Sequence, residues 1–354
     1  MQNKLNDYLK KITPTNVKMS ELAQSRQDNL TKPQGSLGFL EEISVKLASI
    51  YSSISPKITS KIIFTVAGDH GVTEEGVSAF PQEVTSQMVY NFIKGGAAIN
   101  VLARQAGAKV IIADIGVASD LKIEDKNFRS MKIAYGTKNM AKEKAMSTDE
   151  ALQSILHGID LVENELKSGK IDLIGIGEMG IGNTTPATAI ACAVCNKTAE
   201  ELTGKGTGLD NQGIIRKIAV INKSIQLHNP KADDALDILS TIGGLEIGAM
   251  TGIILAAAAN KIPVLIDGVI STSSALLAFL LSPLTREYML AAHLSEEKMH
   301  SVMLDKLNLK PILNFSMRLG EGTGAALAMP IVEASARILC EMATFSDAAV
   351  STEI

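Results

Sequence analysis

Four short runs of β-branched and other apolar residues limit the fold of this chain more than any other feature. They read KIIFTVA (61–67), KVIIADI (109–115), IDLIGI (171–176) and IPVLID (262–267). Each run is apolar almost throughout, which is typical of strands buried on both faces of a parallel sheet. Long helical patterns separate the runs, so the sequence predicts an α/β fold with an open, mostly parallel sheet and flanking helices.

Glycine and acidic residues gather at the carboxyl ends of all four runs. The chain continues there as GDHG, GVAS, GEMGIGNTT and GVIS. The carboxyl ends of parallel strands share one edge of the sheet, and open α/β sheets bind their ligands in the crevice at that edge. We therefore expect the binding site at this edge.

The two ends of the chain lack strand patterns of this kind. Residues 1–55 and 286–354 read as helical, whereas all four runs fall within 56–285. The sequence thus predicts a large α/β domain over 56–285 and a small helical domain that both termini build together. The loop that carries Glu321 would return from the small domain to the active site.

Composition argues against two classes of partner. Aromatic residues make up 4% of the 354 residues, Trp is absent, and the net charge of −4 comes without a basic stripe, so we expect no nucleic acid. The polar start MQNKLNDYLKK lacks the apolar core of a signal peptide. The run IGAMTGIILAAAA is shorter than the roughly 20 residues of a membrane helix. We expect no membrane partner and a cytoplasmic location.

The segment IDLIGIGEMGIGNTTP (171–186) joins a predicted strand, a glycine-rich loop and the start of a helix. Thr185 is expected to cap this helix, and Pro186 suits its first position. The amides from Gly180 to Thr184 would then point out of the positive end of the helix dipole. Such an arrangement predicts a phosphate cradle.

Two other interpretations of this loop stay open from the residues alone. GIGEMG fits the dinucleotide fingerprint G-x-G-x-x-G, but no second strand ending in an acid follows about 20 residues later, and the P-loop lysine is missing. A structural tight turn is the second alternative. Glu178 does not suit a phosphate, so we expect it to face a neutral, cationic or hydroxylated group. Lys217, after a second glycine segment (204–210), is a possible charge partner for the phosphate.

A second isolated glutamate lies near the C-terminus. Glu321 stands between Gly320 and Gly322, ahead of a helix that Thr323 is expected to cap. Flanking glycines let the backbone and a ligand approach closely. The alternative is that Glu321 only complements the dipole of the helix. Two isolated acids on glycine loops favour a functional pair.

The histidines and cysteines carry weaker signals. His70 and Asp69 follow a predicted strand but have no third ligand at a standard spacing, so we predict a turn stabilised by Asp69 and no metal site. His293 and His300 flank LSEEKM on a predicted helix and are expected to be ordinary surface or inter-helix residues. The C-x-x-C at 192–195 is expected to place small residues inside a helix.

Taken in order, the segments of this chain resemble the nicotinate-nucleotide–dimethylbenzimidazole phosphoribosyltransferase family, whose members make the lower-ligand nucleotide of cobalamin. The resemblance covers nearly the whole chain. It rests on these strings: KPQGSLGFLE (32–41), AGDHGVTEEGVSAFPQEVT (67–85), GIGEMGIGNTTP (175–186), GTGLD (206–210), IGGLEIGAMTG (242–252), PVLIDGVISTSSALLA (263–278) and RLGEGTGAALAMPIVEA (318–334).

The resemblance implies that the chain transfers the phosphoribosyl group of nicotinate mononucleotide to 5,6-dimethylbenzimidazole or a related base. The products would be α-ribazole 5′-phosphate and nicotinate, formed without a cofactor or a metal. Glu321 would be the general base, and Glu178 would lie close to the reacting ribose and base. The phosphate would be held by Gly180, Ile181, Gly182, Asn183 and Thr184, with Lys217 beside them.

The resemblance also implies candidate walls for the base pocket, namely Phe80, Gln87 and Met88. Phe80 precedes Pro81 at a position that varies in the family, which leaves open that the preferred base differs from dimethylbenzimidazole. Family members are homodimers with a Rossmann-like large domain and a helical small domain. The rival functions are a non-catalytic binder of a ribose phosphate and an oxidoreductase that uses the glycine loop for NAD.

Overall fold

A computed structural model describes residues 1–206 and 208–351 of the chain. Thr207, within the second glycine segment, and residues 352–354, at the end of the predicted small domain, lie outside the described residues. Seven strands and fourteen α-helices alternate along the described part. Their bounds, in chain order, are α1 Gln2–Leu9, α2 Val17–Asp28, α3 Phe39–Tyr51, β1 Lys61–Gly68, α4 Val84–Lys94, α5 Ala98–Ala106, β2 Ala108–Gly116, β3 Phe128–Ser130, α6 Thr148–Ser168, β4 Leu173–Met179, α7 Thr184–Cys195, α8 Ala199–Leu202, α9 Asn211–His228, α10 Ala235–Ile242, α11 Leu245–Ala259, β5 Val264–Ile266, α12 Val269–Leu281, β6 Met289–Ser295, α13 Met299–Leu307, β7 Pro311–Met317 and α14 Thr323–Glu341.

The seven strands form one parallel sheet in the order β3-β2-β1-β4-β5-β6-β7. At its centre, Phe64 of β1 lies opposite Ile111 of β2 on one side and Ile176 of β4 on the other. β1 and β4 are buried along nearly their whole length, as expected where helices cover both faces of a parallel sheet. The four predicted runs overlap β1, β2, β4 and β5, and the predicted α/β class is confirmed.

The prediction that residues 286–354 are free of strands is wrong. β6 and β7 lie in this stretch and complete one side of the sheet. β7 is an edge strand that begins with Pro311 and is partly exposed, so it has no continuous run of buried β-branched residues. β6 is buried but contains Ala and His in place of Val and Ile. A search of the sequence for continuous runs of β-branched residues therefore misses both strands.

The N-terminal helices pack against the C-terminal end of the chain. α2 and α3 lie beside α14, and Leu30 forms an isolated antiparallel bridge with Thr344. The guanidinium of Arg26 donates hydrogen bonds to the main-chain carbonyls of Leu339 (2.6 Å) and Met342 (3.1 Å). The two termini therefore associate, as the predicted helical domain requires. Because α14 also covers β4 and β6, the boundaries at 56 and 285 stay a prediction.

Close helix packing explains the long apolar run of the sequence. α11 is buried from Leu245 to Ala258 and lies against α6. A Cβ atom at Gly158 of α6 or Gly252 of α11 would lie 1.9 Å from a carbonyl oxygen of the other helix. Among the described residues, α14 is long and apolar enough to cross a membrane by length and composition, but 56% of that window is buried inside the fold. α11 and α14 are therefore both helices of the hydrophobic core.

The strand order reverses between β1 and β4. Right-handed crossovers then place the connecting helices of the two halves on opposite faces of the sheet. A crevice opens outside the carboxyl ends of the strands at such a reversal, and it is the usual ligand site of open α/β sheets. The loops that follow β1 and β4 both meet at this crevice.

Candidate active site

A cavity of about 420 Å³ lies at the carboxyl edge of the sheet, where the sequence predicts a binding site. Its walls come from the loops after β4, β5, β6 and β7 and from the start of α4. They include Phe80, Val84, Met88, Glu178, Asn183, Thr184, Gly206, His293, Glu297, Arg318 and Glu321. Both of the predicted glutamates therefore face one cavity.

Glu178 lies near the end of β4 and is 6% exposed. The side-chain amide of Asn183 donates a hydrogen bond to its carboxylate. Burial raises the pKa of Glu178 to about 8, and the charges of Glu246, Asp267 and Glu321 act in the same direction, while the bond from Asn183 opposes them. Glu178 is therefore a carboxyl group that changes its charge near neutral pH.

The helix after the glycine loop begins earlier than predicted. α7 starts at Thr184 with Asn183 in the cap position, so Thr185 is not the cap. The Asn183 side chain makes no cap hydrogen bond, because it is bound to Glu178. Pro186 takes the third helical position, where a missing N–H still costs no intrahelical bond. The loop nevertheless ends at a helix N-terminus, as predicted.

Two of the predicted phosphate donors are engaged within the protein. The amide of Ile181 donates to Thr85 Oγ1 (3.0 Å), and the amide of Asn183 donates to the carbonyl of Gly180 (3.1 Å). The phosphate cradle stays a prediction, and the amides of Gly180, Gly182 and Thr184 are the candidate donors that remain.

Lys217 lies behind the cavity wall and is not part of its lining. Its Nζ donates to Thr184 Oγ1 at 2.6 Å, and the residue is 1% exposed. Burial lowers the pKa of Lys217 to about 8, an effect that the charge of Glu297 opposes. Gly206 separates the ammonium group from the cavity, since a Cβ atom there would lie 3.1 Å from Nζ. The structure thus places Lys217 next to the helix start, as predicted, but one layer deeper.

Glu321 occupies a backbone conformation that is rare for a residue with a side chain. Its φ is +63°, and the φ values of Gly320 and Gly322 are +88° and +93°. The amide of Ile99 donates to Glu321 Oε2 at 3.2 Å. Burial raises the pKa of Glu321, and the charge of Asp267 adds to this shift. α14 begins at Thr323 with Gly322 in the cap position, so the predicted cap is displaced by one residue.

Asp267, which the sequence analysis left out of the site, holds the Glu321 loop in place. Its carboxylate follows β5 and accepts the amides of Gly322 (3.2 Å) and Ala325 (3.0 Å) at the start of α14. Burial raises the pKa of Asp267 to about 7 against these bonds. An acid at the carboxyl end of a predicted strand is the sequence signal that identifies it.

The interpretation of His293 as an ordinary helix residue is wrong. His293 belongs to β6 and lines the cavity, with its Nδ1 3.8 Å from Asp267 Oδ1. Burial lowers the pKa of His293 to about 4, so the ring is neutral at pH 7. His300 does lie in a helix, α13, and is fully buried. Its Nε2 is 3.0 Å from Thr272 Oγ1 of α12, so it is an inter-helix residue as predicted.

Part of the cavity lining is apolar. Phe80 and Met88 belong to it as predicted, together with Val84 and Leu319. Gln87, the third predicted wall residue, is exposed and does not line the cavity. Gln87 and Met88 are consecutive in α4, and consecutive positions of a helix point about 100° apart, so of these two only Met88 faces the cavity.

The other candidate metal ligands of the sequence are engaged with protein partners or lie inside a helix. Asp69 accepts the amide of Ala118 at 2.8 Å, whereas His70 is paired with Glu246. Cys192 and Cys195 are free thiols in α7, as predicted. In the described part of the chain, no group of three His, Cys, Asp or Glu side chains is arranged to hold an ion.

The parallel sheet and its crevice define an α/β enzyme with a site for a small ligand. A family model described as phosphoribosyltransferase matches residues 12–350. Proteins named nicotinate-nucleotide–dimethylbenzimidazole phosphoribosyltransferase are similar over 98% of this chain. The protein from Desulforamulus reducens is 54% identical over 99% of its own length, and that from Chloroflexus aurantiacus is 50% identical over 98%.

A solved structure agrees with these relatives. The crystal structure of the nicotinate-nucleotide–dimethylbenzimidazole phosphoribosyltransferase from Thermus thermophilus is 39% identical and superimposes with a TM-score of 0.91. The match covers 96% of this chain and 100% of that one. The chain therefore belongs to the nicotinate-nucleotide–dimethylbenzimidazole phosphoribosyltransferase family, and the resemblance found in the sequence is confirmed.

The raised pKa of Glu178 predicts how stability depends on pH. A carboxyl that binds its proton more tightly in the folded protein makes the fold less stable as pH rises from about 4.5 to about 8. Glu178→Gln removes this loss. The stability of the variant relative to wild type should therefore be higher at pH 8 than at pH 5. We expect a gain of about 1 kcal/mol or more, which is roughly 2–4 °C in the melting temperature of a domain of 150–250 residues.

Thermal unfolding at the two pH values measures this gain. Glu143→Gln is the control, because it makes the same chemical change at an exposed position. An equal response of wild type and Glu178→Gln to pH would contradict the placement of an ionisable carboxyl at this buried site.

Proposed function

We propose that this chain transfers the phosphoribosyl group of nicotinate mononucleotide to 5,6-dimethylbenzimidazole or a related base, releasing nicotinate and forming α-ribazole 5′-phosphate. The names of its relatives support this reaction. The observation that carries the proposal is the placement of Glu178 and Glu321 in one cavity, whose lining also includes the glycine loop and several apolar side chains.

The cavity offers a different environment to each part of the substrates. Its polar part, with Thr184 and Gly206 in the wall and Lys217 behind them, suits the phosphate. The apolar part suits a flat aromatic base and contains Phe80, Val84, Met88 and Leu319. Glu178 and Glu321 line the same cavity, and we expect the ribose and the reacting nitrogen to meet beside them.

The protein then has to position the two substrates and to supply one general base. The ring nitrogen of nicotinate mononucleotide is already cationic, so nicotinate leaves with the electrons of the C1′–N bond and needs no general acid. A nitrogen of the incoming base forms the new C1′–N bond, and its other nitrogen becomes acidic. Glu321 accepts that proton as general base. No diphosphate leaves, so we expect no metal or cofactor.

Glu178 is the second carboxyl in the cavity. In its ionised form it would stabilise the positive charge that develops on the ribose as the C1′–N bond breaks. Its pKa of about 8 means that this form becomes the major one only in mildly basic solution or when a cationic substrate binds. Binding of the pyridinium ring is therefore expected to favour loss of the Glu178 proton.

Three further features stay proposals. The family resemblance supports a homodimer and, with the sequence composition, a cytoplasmic location. The identity of the preferred base depends on the apolar part of the cavity. Phe80 is 53% exposed at its rim, so a base bulkier than benzimidazole would meet an aromatic ring there.

The phosphate site predicts strong discrimination against nicotinate riboside, which lacks the phosphate. Losing two charge-assisted hydrogen bonds of ~1.5 kcal/mol each should lower kcat/KM by about 100-fold or more relative to the mononucleotide. Steady-state kinetics with the two donors and one base measures the ratio. Equal kcat/KM values would remove the phosphate from the proposed binding mode.

The role of Glu321 predicts a rate effect without a binding effect. Glu321→Gln keeps the shape and both flanking glycines but removes the basicity, so kcat should fall by ~10²–10⁴-fold while the Kd of nicotinate mononucleotide changes little. Glu178→Gln, made in parallel, tests the other carboxyl. If Glu321→Gln turned over like wild type, Glu178 would become the candidate base. If it failed to fold, the helix-dipole interpretation of Glu321 would be favoured.

A further inference from the structure

A buried ion pair lies next to the glycine loop that follows β4. His70 follows β1, and its Nε2 is 2.8 Å from Oε1 of Glu246, which lies in the first turn of α11. The side chains are 1% and 0% exposed. Removing two charges from water is costly, and an apolar pair of similar volume is often as stable. Stability alone therefore does not explain this pair.

The pair contacts the loop through glycines. A Cβ atom at Gly180 would lie 3.3 Å from His70 Nε2, 3.5 Å from the side-chain nitrogen of Asn183 and only 2.3 Å from the carbonyl oxygen of Gly68. Asn183 in turn donates its hydrogen bond to Glu178. A continuous series of contacts thus runs from Glu246 through His70, Gly180 and Asn183 to Glu178.

Glu246 binds His70 through only one of its carboxylate oxygens, Oε1. In the described part of the chain its Oε2 has no hydrogen-bond partner, and it lies beside Gly68 and Gly244, where Cβ atoms would be 3.1 Å and 2.7 Å away. Burial alone would lower the pKa of His70, but Glu246, by its charge and hydrogen bond, and Asp69, by its charge, raise it overall. Glu246 and Asp69 therefore favour the protonated form of His70.

Glu178 is surrounded by acidic groups from several elements. Glu246 on α11, Asp267 after β5 and Glu321 before α14 face it, and Asn183 donates to it. Of the three carboxyls, Glu246 raises the pKa of Glu178 most. Glu246 itself does not line the cavity.

We propose that His70 and Glu246 are a positioning pair: they pack against Gly180, which holds Asn183 in place to bind the Glu178 carboxyl group, and their charges act on that group. The inference rests on the proposed function, because the charge state of Glu178 matters there for binding a cationic substrate. His70 and Glu246 act here without contacting the substrate.

Titration of the Glu178 carboxyl by NMR tests the pair and needs no substrate. With ¹³C-labelled glutamate in the full chain, the signal of Glu178 is the one that disappears in Glu178→Gln. Glu246→Gln removes the carboxylate that contributes most to the raised pKa of Glu178, so the titration midpoint of Glu178 should fall by about one pH unit. Glu246→Asp keeps the charge and should restore most of the midpoint.

The matched control is Glu41→Gln. Glu41 is paired with Lys32 at 2.8 Å, and both are about as buried, but neither lines the cavity. This variant should lose stability and leave the Glu178 midpoint unchanged. His70→Gln is made in parallel: it keeps a donor for Glu246 but removes the positive charge, so the Glu178 midpoint should rise. Glu246→Gln also removes the group that keeps His70 protonated, so an unchanged midpoint in both variants is the result that would overturn the proposal. If one of the two variants does not fold, the other decides.

The kinetic readout separates this inference from the proposed function. The KM of nicotinate mononucleotide should fall as pH rises through the Glu178 midpoint, and this dependence should move to lower pH in Glu246→Gln. A wild-type protein that binds no nicotinate mononucleotide contradicts the proposed function, whatever the NMR midpoint. A wild type that turns over, with a pH dependence that Glu246→Gln leaves in place, contradicts only the role of the pair.

Discussion

β1 and β4 lie side by side in the sheet, although the chain leaves β1 for β2 and reaches β4 only after α6. Because crossovers in parallel sheets are right-handed, this reversal separates the helices of the two halves and opens a crevice at the carboxyl ends of the strands. Glu178 at the end of β4, Asp267 after β5 and His293 on β6 all reach this region as a consequence. The strand order therefore determines where the site lies.

Burial of carboxyl groups is the second constraint. Glu178, Glu246, Asp267 and Glu321 are each at most 6% exposed and lie in one region of the protein. Such a cluster is unfavourable for folding, since desolvation and mutual repulsion both raise the pKa of acids. Glu321 adds backbone strain at φ +63°. Unfavourable features that gather at one cavity are typical of a functional site that the rest of the fold supports.

The sequence predicted the parts of this arrangement that depend on local pattern. The buried strands carry a continuous apolar run, and the isolated acids Glu178 and Glu321 stand out among glycines. It missed β6 and β7, whose positions are fixed by tertiary pairing and not by their own composition. It also missed Asp267 and His293, because their roles depend on which strand ends are neighbours. The exposure of Gln87 follows from the helical phase of α4, which a resemblance alone does not define.

The central claim is that the cavity supports phosphoribosyl transfer from nicotinate mononucleotide to an azole base. The most direct measurement is to incubate the purified full chain with nicotinate mononucleotide and 5,6-dimethylbenzimidazole after exhaustive chelation, and to separate the products by chromatography. The account predicts equal amounts of nicotinate and α-ribazole 5′-phosphate, with neither formed when the base is omitted. Binding of the mononucleotide without turnover, or activity that needs NAD or a restored divalent ion, would contradict it.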